Sequence, residues 1–214
     1  MLLFSYRYSK CRIYILIMYY ILECGSHPAD IYFLLDSSGS VTTRNFVKQL
    51  QFIEGFAKQY VIGPANIQIG VATFSTHVTE SIRLDKYHTT SSFISGLPGV
   101  QYDGGLTYTE DALKFARLQA FAHGGRPNVP KVVVVLTDGR SYSHTNTVNQ
   151  ANLLKKVPGI KVISIGIGTS IVNSELLAIA TDSAHMFTVA GFDSLAAIKS
   201  EIAFAACQSE YLYM

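Results

Sequence analysis

A chain of 214 residues, 49% hydrophobic and 15% charged, buries one substantial core and has little length to spare for a second domain. Its formal net charge of +2 is spread so thinly that the longest basic run is Lys155-Lys156. That excludes the electrostatic footprint of a nucleic-acid groove.

In chain order, Arg7, Lys10 and Arg12 precede Ile13–Leu22, an unbroken apolar run. The run is too short for a membrane-spanning helix and matches the basic region and apolar core of a secretory signal. Cys24-Gly25-Ser26 makes a poor cleavage site. Residues 1–25 are therefore expected to be a signal-like or poorly defined segment, and a membrane enters this reading only if they form an uncleaved anchor. One domain over 26–208 and a tail at 209–214 complete the expected organisation. Cys24 and Cys207 bracket that domain and are expected to form a disulfide, which an oxidising compartment permits. The alternative is two free buried thiols, and Cys11 is left over.

Ile31–Leu35 reads as a buried strand, followed by a helix from about Thr43 to Tyr60 with Phe46, Leu50, Ile53, Ala57 and Tyr60 on one face. Gln68–Phe74 is a second strand. Val78–Leu84 follows too closely for a parallel crossover and is expected to pair antiparallel at the sheet edge. A short helix near Ser91–Leu97, a helix Thr109–Phe121, a strand Lys131–Leu136, a helix near Thr147–Lys156 and a strand Lys161–Ile167 continue the alternation. A helix Ser174–Thr181, a strand His185–Val189 and a helix Asp193–Ala206 end it. Alternating elements with near-continuous apolar strands imply an α/β fold, a mainly parallel sheet covered by helices on both faces.

Chemistry gathers where strands stop. The first strand ends in Asp36-Ser37-Ser38-Gly39-Ser40, a carboxylate followed by hydroxyls in alternate positions. Four valines and a leucine lead into Thr137-Asp138-Gly139, a second carboxylate at a second strand end. Between them Gly104-Gly105-Leu106-Thr107 places a hydroxyl at the entrance to a helix. Asp36 and Asp138 are expected at solvent-facing strand ends. With Ser38, Ser40 and Thr107 they make an oxygen-only donor set of the kind magnesium uses, with one or two carboxylates and several waters.

Each feature has a plainer reading. Ser38 and Ser40 fit caps of the following helix, Thr107 with Glu110 matches a capping box, and Thr137-Asp138-Gly139 fits a polar turn. Their joint occurrence in this order favours the cation site. A serine hydrolase lacks its Gly-x-Ser-x-Gly elbow, and His27, His77, His88, His123, His144 and His185 are scattered without a partner signature. Gly166-Ile-Gly168 imitates a dinucleotide fingerprint, but Ile171 stands where its third glycine belongs. No zinc-ligand spacing occurs.

In these residues the chain resembles the von Willebrand factor type A domain, whose metal-ion-dependent adhesion site combines Asp-x-Ser-x-Ser, a Thr before a helix and a Thr-Asp-Gly strand end. The likeness runs from about Asp30 to Cys207. Gln68–Phe74, Val129–Asp138 and Lys161–Gly168 are similar to matrilins and the A domains of collagens. The resemblance implies that Asp36, Ser38, Ser40, Thr107 and Asp138 bind magnesium, or else manganese or calcium, directly or through water, and that a partner carboxylate completes the shell. It also implies the order of a doubly wound, six-stranded sheet with one antiparallel edge strand. In that order Asp36 and Asp138 flank the topological switch point, where such sheets bind ligands.

The chain is therefore expected to be a secreted, non-enzymatic adhesion module of the extracellular matrix. Its partner is a matrix protein such as a collagen, engaged through an acidic residue. Tyr102, Leu106, Tyr108, Arg140, Tyr142 and His144, in predicted loops around the crevice, are the expected partner-binding rim. The alternative is a structural matrix module that oligomerises, with the metal only ordering the loops.

Overall fold

A computed structural model describes residues 28–207. The segment 1–25, Cys24 with its expected bridge to Cys207, and the tail 209–214 therefore involve residues outside the described range. β1 (Ala29–Asp36) has Ile31 through Leu35 buried on both faces, as a strand at the centre of a parallel sheet must be. β2 (Ile67–Phe74) and β4 (Lys131–Thr137) are as apolar and as buried. β3 (Val78–Ile82) turns back antiparallel, while β5 (Ile160–Ile167) and β6 (Met186–Val189) extend the parallel part. The order is β3-β2-β1-β4-β5-β6, the doubly wound, six-stranded sheet with one antiparallel edge strand that the resemblance implied.

Helices cover both faces, each against alternate residues of the same strands. α1 (Thr42–Ala57), α2 (Thr90–Gly96) and α6 (Lys199–Cys207) share a core with Ile31, Phe33 and Leu35 of β1 and Val132 and Val134 of β4. α3 (Thr109–Leu118), α4 (His144–Lys155) and α5 (Asn173–Ile179) pack on the opposite face, against Tyr32, Leu34, Val133 and Val135. The Phe33 ring lies 5.3 Å from that of Phe56 and 6.4 Å from that of Phe52, both edge-on. Full burial of such a ring contributes about 1.5–3 kcal/mol, so α1 is fixed to the sheet directly below the loop that precedes it.

Helix ends shift from their sequence patterns: α1 stops at Ala57 where Tyr60 was expected, and α4 starts at His144 where Thr147 was expected. α3 stops at Leu118, short of the expected Phe121, because the chain must reverse: Gly124 has φ +78°, and a Cβ on Gly125 would lie 2.2 Å from the Phe121 carbonyl oxygen. The reversal delivers Arg126, whose Nε donates to Asp30 Oδ1 at 2.8 Å, an ion pair at the amino end of β1 with Asp30 fully buried. The expected helix Asp193–Ala206 is a 3-10 turn over Phe192–Ile198 followed by α6.

Register decides what meets at the carboxyl ends. Leu35 of β1 pairs with Leu136 of β4, so Asp36 stands beside Thr137 with Asp138 one residue beyond. The chain winds outward through β2 and β3 on one side of β1, and through β4, β5 and β6 on the other. The switch point therefore falls between the two strands that end in carboxylates.

Candidate metal centre

Asp36 is fully buried, not solvent-facing as its place at a strand end suggested. Its burial has a local cause: neighbouring groups close over it. Its Oδ1 accepts the Ser38 backbone N–H at 2.9 Å and its Oδ2 accepts the Thr137 hydroxyl at 2.7 Å. Gln49 of α1 donates to its main-chain carbonyl at 2.8 Å. Burial pushes the Asp36 carboxyl up to about 6, the bonds from Ser38 and Thr137 pull the other way, and the charge of Asp138 adds a smaller upward push. Asp138 is half-buried, and burial raises it against the hydrogen bond from Ser40.

The two serines bridge these carboxylates. Ser38 Oγ lies 3.1 Å from Ser40 Oγ, and the Ser40 hydroxyl donates to Asp138 Oδ1 at 2.7 Å. Four oxygen-bearing side chains thus follow one another across the switch point. Neither serine caps α1: its N-cap is Val41, without a side-chain bond. The capping box Thr107–Glu110 does not form either, because the N-cap of α3 is Tyr108, and Glu110 Oε2 accepts instead from Thr147 of α4 at 3.3 Å. The local roles that competed with ligation are thus not what these hydroxyls perform.

Thr107 reaches the same place through its loop. Gly104 has φ +85°, and its N–H donates to the Ser37 carbonyl at 2.7 Å. The Gly39 N–H donates to the Gly105 carbonyl at 2.8 Å, and the Tyr142 N–H to the Thr107 carbonyl at 2.8 Å. Three loops are stitched edge to edge by main-chain bonds. They leave a crevice of about 270 Å³ lined by Ser38, Gly39, Ser40, Gly105, Leu106, Thr107, Arg140 and Tyr142. That lies below the roughly 300–1,000 Å³ of small-molecule pockets and suits the tip of one side chain.

The six expected rim residues divide. Leu106, Arg140 and Tyr142 line the crevice, with Tyr142 66% exposed. Tyr108 packs on Tyr142 with ring centroids 4.7 Å apart. Tyr102 is turned inward: its hydroxyl donates to the Ser38 carbonyl at 3.1 Å and its ring packs on Phe46. His144 is turned aside, its Nδ1 2.8 Å from Glu175 Oε2. Sequence reasoning passed over Glu175, Ser141, Gln49 and the supporting role of Thr137. Only Thr137 carried a signal, its place in Thr-Asp-Gly.

Among the described residues no three His, Cys, Asp or Glu side chains converge, so the donor set is two carboxylates and hydroxyls. Oxygen ligands of this kind fit a hard divalent cation. Ser141, His144 and Glu175 do not form a nucleophile–base pair, because Ser141 and His144 meet the carboxylate and not each other. Gly166 serves packing: a Cβ there would lie 2.3 Å from Leu176 Cδ1.

Comparison with known proteins bears on the family. The family profile described as von Willebrand factor type A domain matches residues 30–201. The collagen alpha-4(VI) chain of Mus musculus is 34% identical over 190 residues, which is 88% of this chain and 8% of that one. Vitrin of Mus musculus is 33% identical over 178 residues, 82% of this chain and 27% of its own. Proximal thread matrix protein 1 from the mussel byssus, solved with a zinc-occupied MIDAS motif, superposes with a TM-score of 0.78 at 31% identity, over 86% of this chain and 46% of that one. The chain thus spans well under two thirds of each of these relatives.

Proposed function

Because the chain belongs to the von Willebrand factor type A domain family, we propose that it is an extracellular interaction module that captures a matrix protein, such as a collagen, through an acidic residue at a divalent cation. Asp36, Ser38, Ser40, Thr107 and Asp138 would hold the cation, directly or through water, and magnesium suits a set with only two carboxylates. The bound ion supplies a positive centre able to take a partner oxygen. The chain's own residues do the rest. Asp36 anchors the Ser38 backbone, Ser40 orients Asp138, and Arg140 is the one charged side chain lining the crevice. It favours an anionic occupant. Exposed Leu106 and Tyr142 beside it give the partner an apolar surface to cover.

The observation that carries this reading is the linked run Asp36–Ser38–Ser40–Asp138 across the switch point, joined first by the Ser38 backbone N–H and then by hydroxyl contacts. The zinc-occupied MIDAS of the mussel protein and the collagen and vitrin relatives support the cation and the matrix setting. No described helix is long and apolar enough to cross a membrane. Residues 26–208 are proposed as the folded unit.

The test is calorimetric titration with magnesium and manganese, together with capture of surface-bound collagen. Asp138→Ala should abolish cation binding and capture together while leaving the protein folded. Unchanged cation affinity in that variant overturns the site. Capture that vanishes in chelator but survives chemical blocking of the collagen's carboxylates favours the oligomerising module instead.

A further inference from the structure

Beneath the loop that carries Asp138 lies a carboxylate that neither the metal centre nor the apolar core accounts for. Glu175, on α5, is 3% exposed. Its Oε1 accepts the Ser141 backbone N–H at 3.0 Å, and its Oε2 accepts the Ser141 hydroxyl at 2.6 Å and lies 2.8 Å from His144 Nδ1. Burying a carboxylate is costly unless hydrogen bonds offset the lost water. Here they do, and all of them go to one loop and to the first residue of α4.

That loop joins two residues of the centre. Ser141, 4% exposed, stands three positions after Asp138. The next residue, Tyr142, donates its N–H to the Thr107 carbonyl at 2.8 Å. A continuous path therefore runs from α5 through Ser141 to Tyr142 and Thr107 on one side, and back along the chain to Asp138 on the other. α5 supplies no donor to the crevice, yet it fixes the segment that presents Asp138 and whose Tyr142 N–H holds the Thr107 carbonyl. Without Glu175, a buried N–H and a buried hydroxyl lose their acceptor, and the loop must move to find others.

We propose that Glu175 is a positioning residue of the metal centre, holding the Asp138–Tyr142 loop so that Asp138 and Thr107 face Ser38 and Ser40. This rests on the cation reading given above. Ser164 provides the contrast. Its hydroxyl donates to the Leu176 carbonyl at 2.9 Å, an equally buried bond to the same helix that does not touch the loop.

The experiment compares Glu175→Ala, Glu175→Gln, Ser164→Ala and Asp138→Ala by magnesium titration and by hydrogen exchange of the Tyr142 amide in chelator. Glu175→Ala should weaken magnesium binding about tenfold, the lower end of the range for outer-shell partners of metal ligands, and should deprotect the Tyr142 amide. Glu175→Gln keeps an acceptor for the Ser141 N–H and should recover most of the affinity. Ser164→Ala should lower the melting temperature without changing either readout. If Glu175→Ala does not fold, Ser141→Ala decides, with an expected loss of roughly fivefold for one hydrogen bond. Wild-type affinity in folded Glu175→Ala, or an equal loss in Ser164→Ala, overturns the inference while Asp138→Ala still abolishes binding. If Asp138→Ala binds magnesium normally, the cation reading itself falls, and this inference with it.

Discussion

Asp36 carries two opposed demands. Burial pushes its carboxyl from 3.8 to about 6, so the folded protein without cation holds that proton more tightly than the unfolded chain does. Its contribution to stability is complete below about pH 3.8 and lost as the pH rises through about 6, a swing of about 3 kcal/mol at most. In chelator, Asp36→Asn should remove that part of the pH dependence and be the more stable form at pH 7. The amide can still accept from the Ser38 N–H, and the Thr137 hydroxyl can turn to the Gly139 carbonyl, 3.3 Å away. In magnesium the order should reverse, since only the ionised wild type binds. Urea unfolding at pH 4 and pH 7, with and without magnesium, measures both. A variant no more stable than wild type in chelator at pH 7 removes the argument. Asp36 as a candidate ligand was legible because an apolar run stops at it; its burial was not, because Thr137 and Gln49, which close over it, are distant in sequence.

At the level of elements, the pattern placed strands and helices well where an apolar period decides them and poorly where backbone geometry does. The Thr107–Glu110 spacing matched a capping box. The structure gives Glu110 to Thr147 instead, a pairing between α3 and α4 that no local pattern encodes. The loop before α3 depends on close approach. A Cβ on Gly105 would lie 2.3 Å from Thr76 Oγ1 and 3.0 Å from the Thr76 backbone nitrogen, so the backbone must shift to admit a methyl group. Gly105→Ala should cost about 1–3 kcal/mol, as overpacking does, and should weaken magnesium binding by displacing Thr107. Gly99→Ala is the matched control, since a Cβ there meets nothing within 4 Å. Denaturant midpoints and magnesium titration of both variants check this, and equal behaviour of the two would show that the close approach does not position Thr107.

For the whole molecule, the sequence held the alternation of strands and helices but not which strands are neighbours, because near-continuous apolar strands carry no label for a partner. The resemblance supplied that order, and the register of β1 on β4 brought Asp36, Thr137 and Asp138 together. The same topology bears on the chain ends. α1 leads away from the crevice, and the last segment follows it: Asp193 pairs with Lys48 at 2.8 Å, and a Cβ on Gly55 would lie 3.1 Å from Lys199 Nζ. α6 therefore continues toward the end of the sheet at which β1 begins at Ala29, five residues after Cys24. Chain termini that finish at one end of a domain are natural sites for a clasp. Secreted protein should yield a Cys24–Cys207 peptide in non-reducing digests. Reduction should lower stability by roughly 5 kcal/mol at most, the chain-entropy value for a loop of this length. Free thiols at both positions would refute the bridge and weaken the case for an oxidising compartment, while leaving the proposed metal centre at the opposite end of the strands untouched.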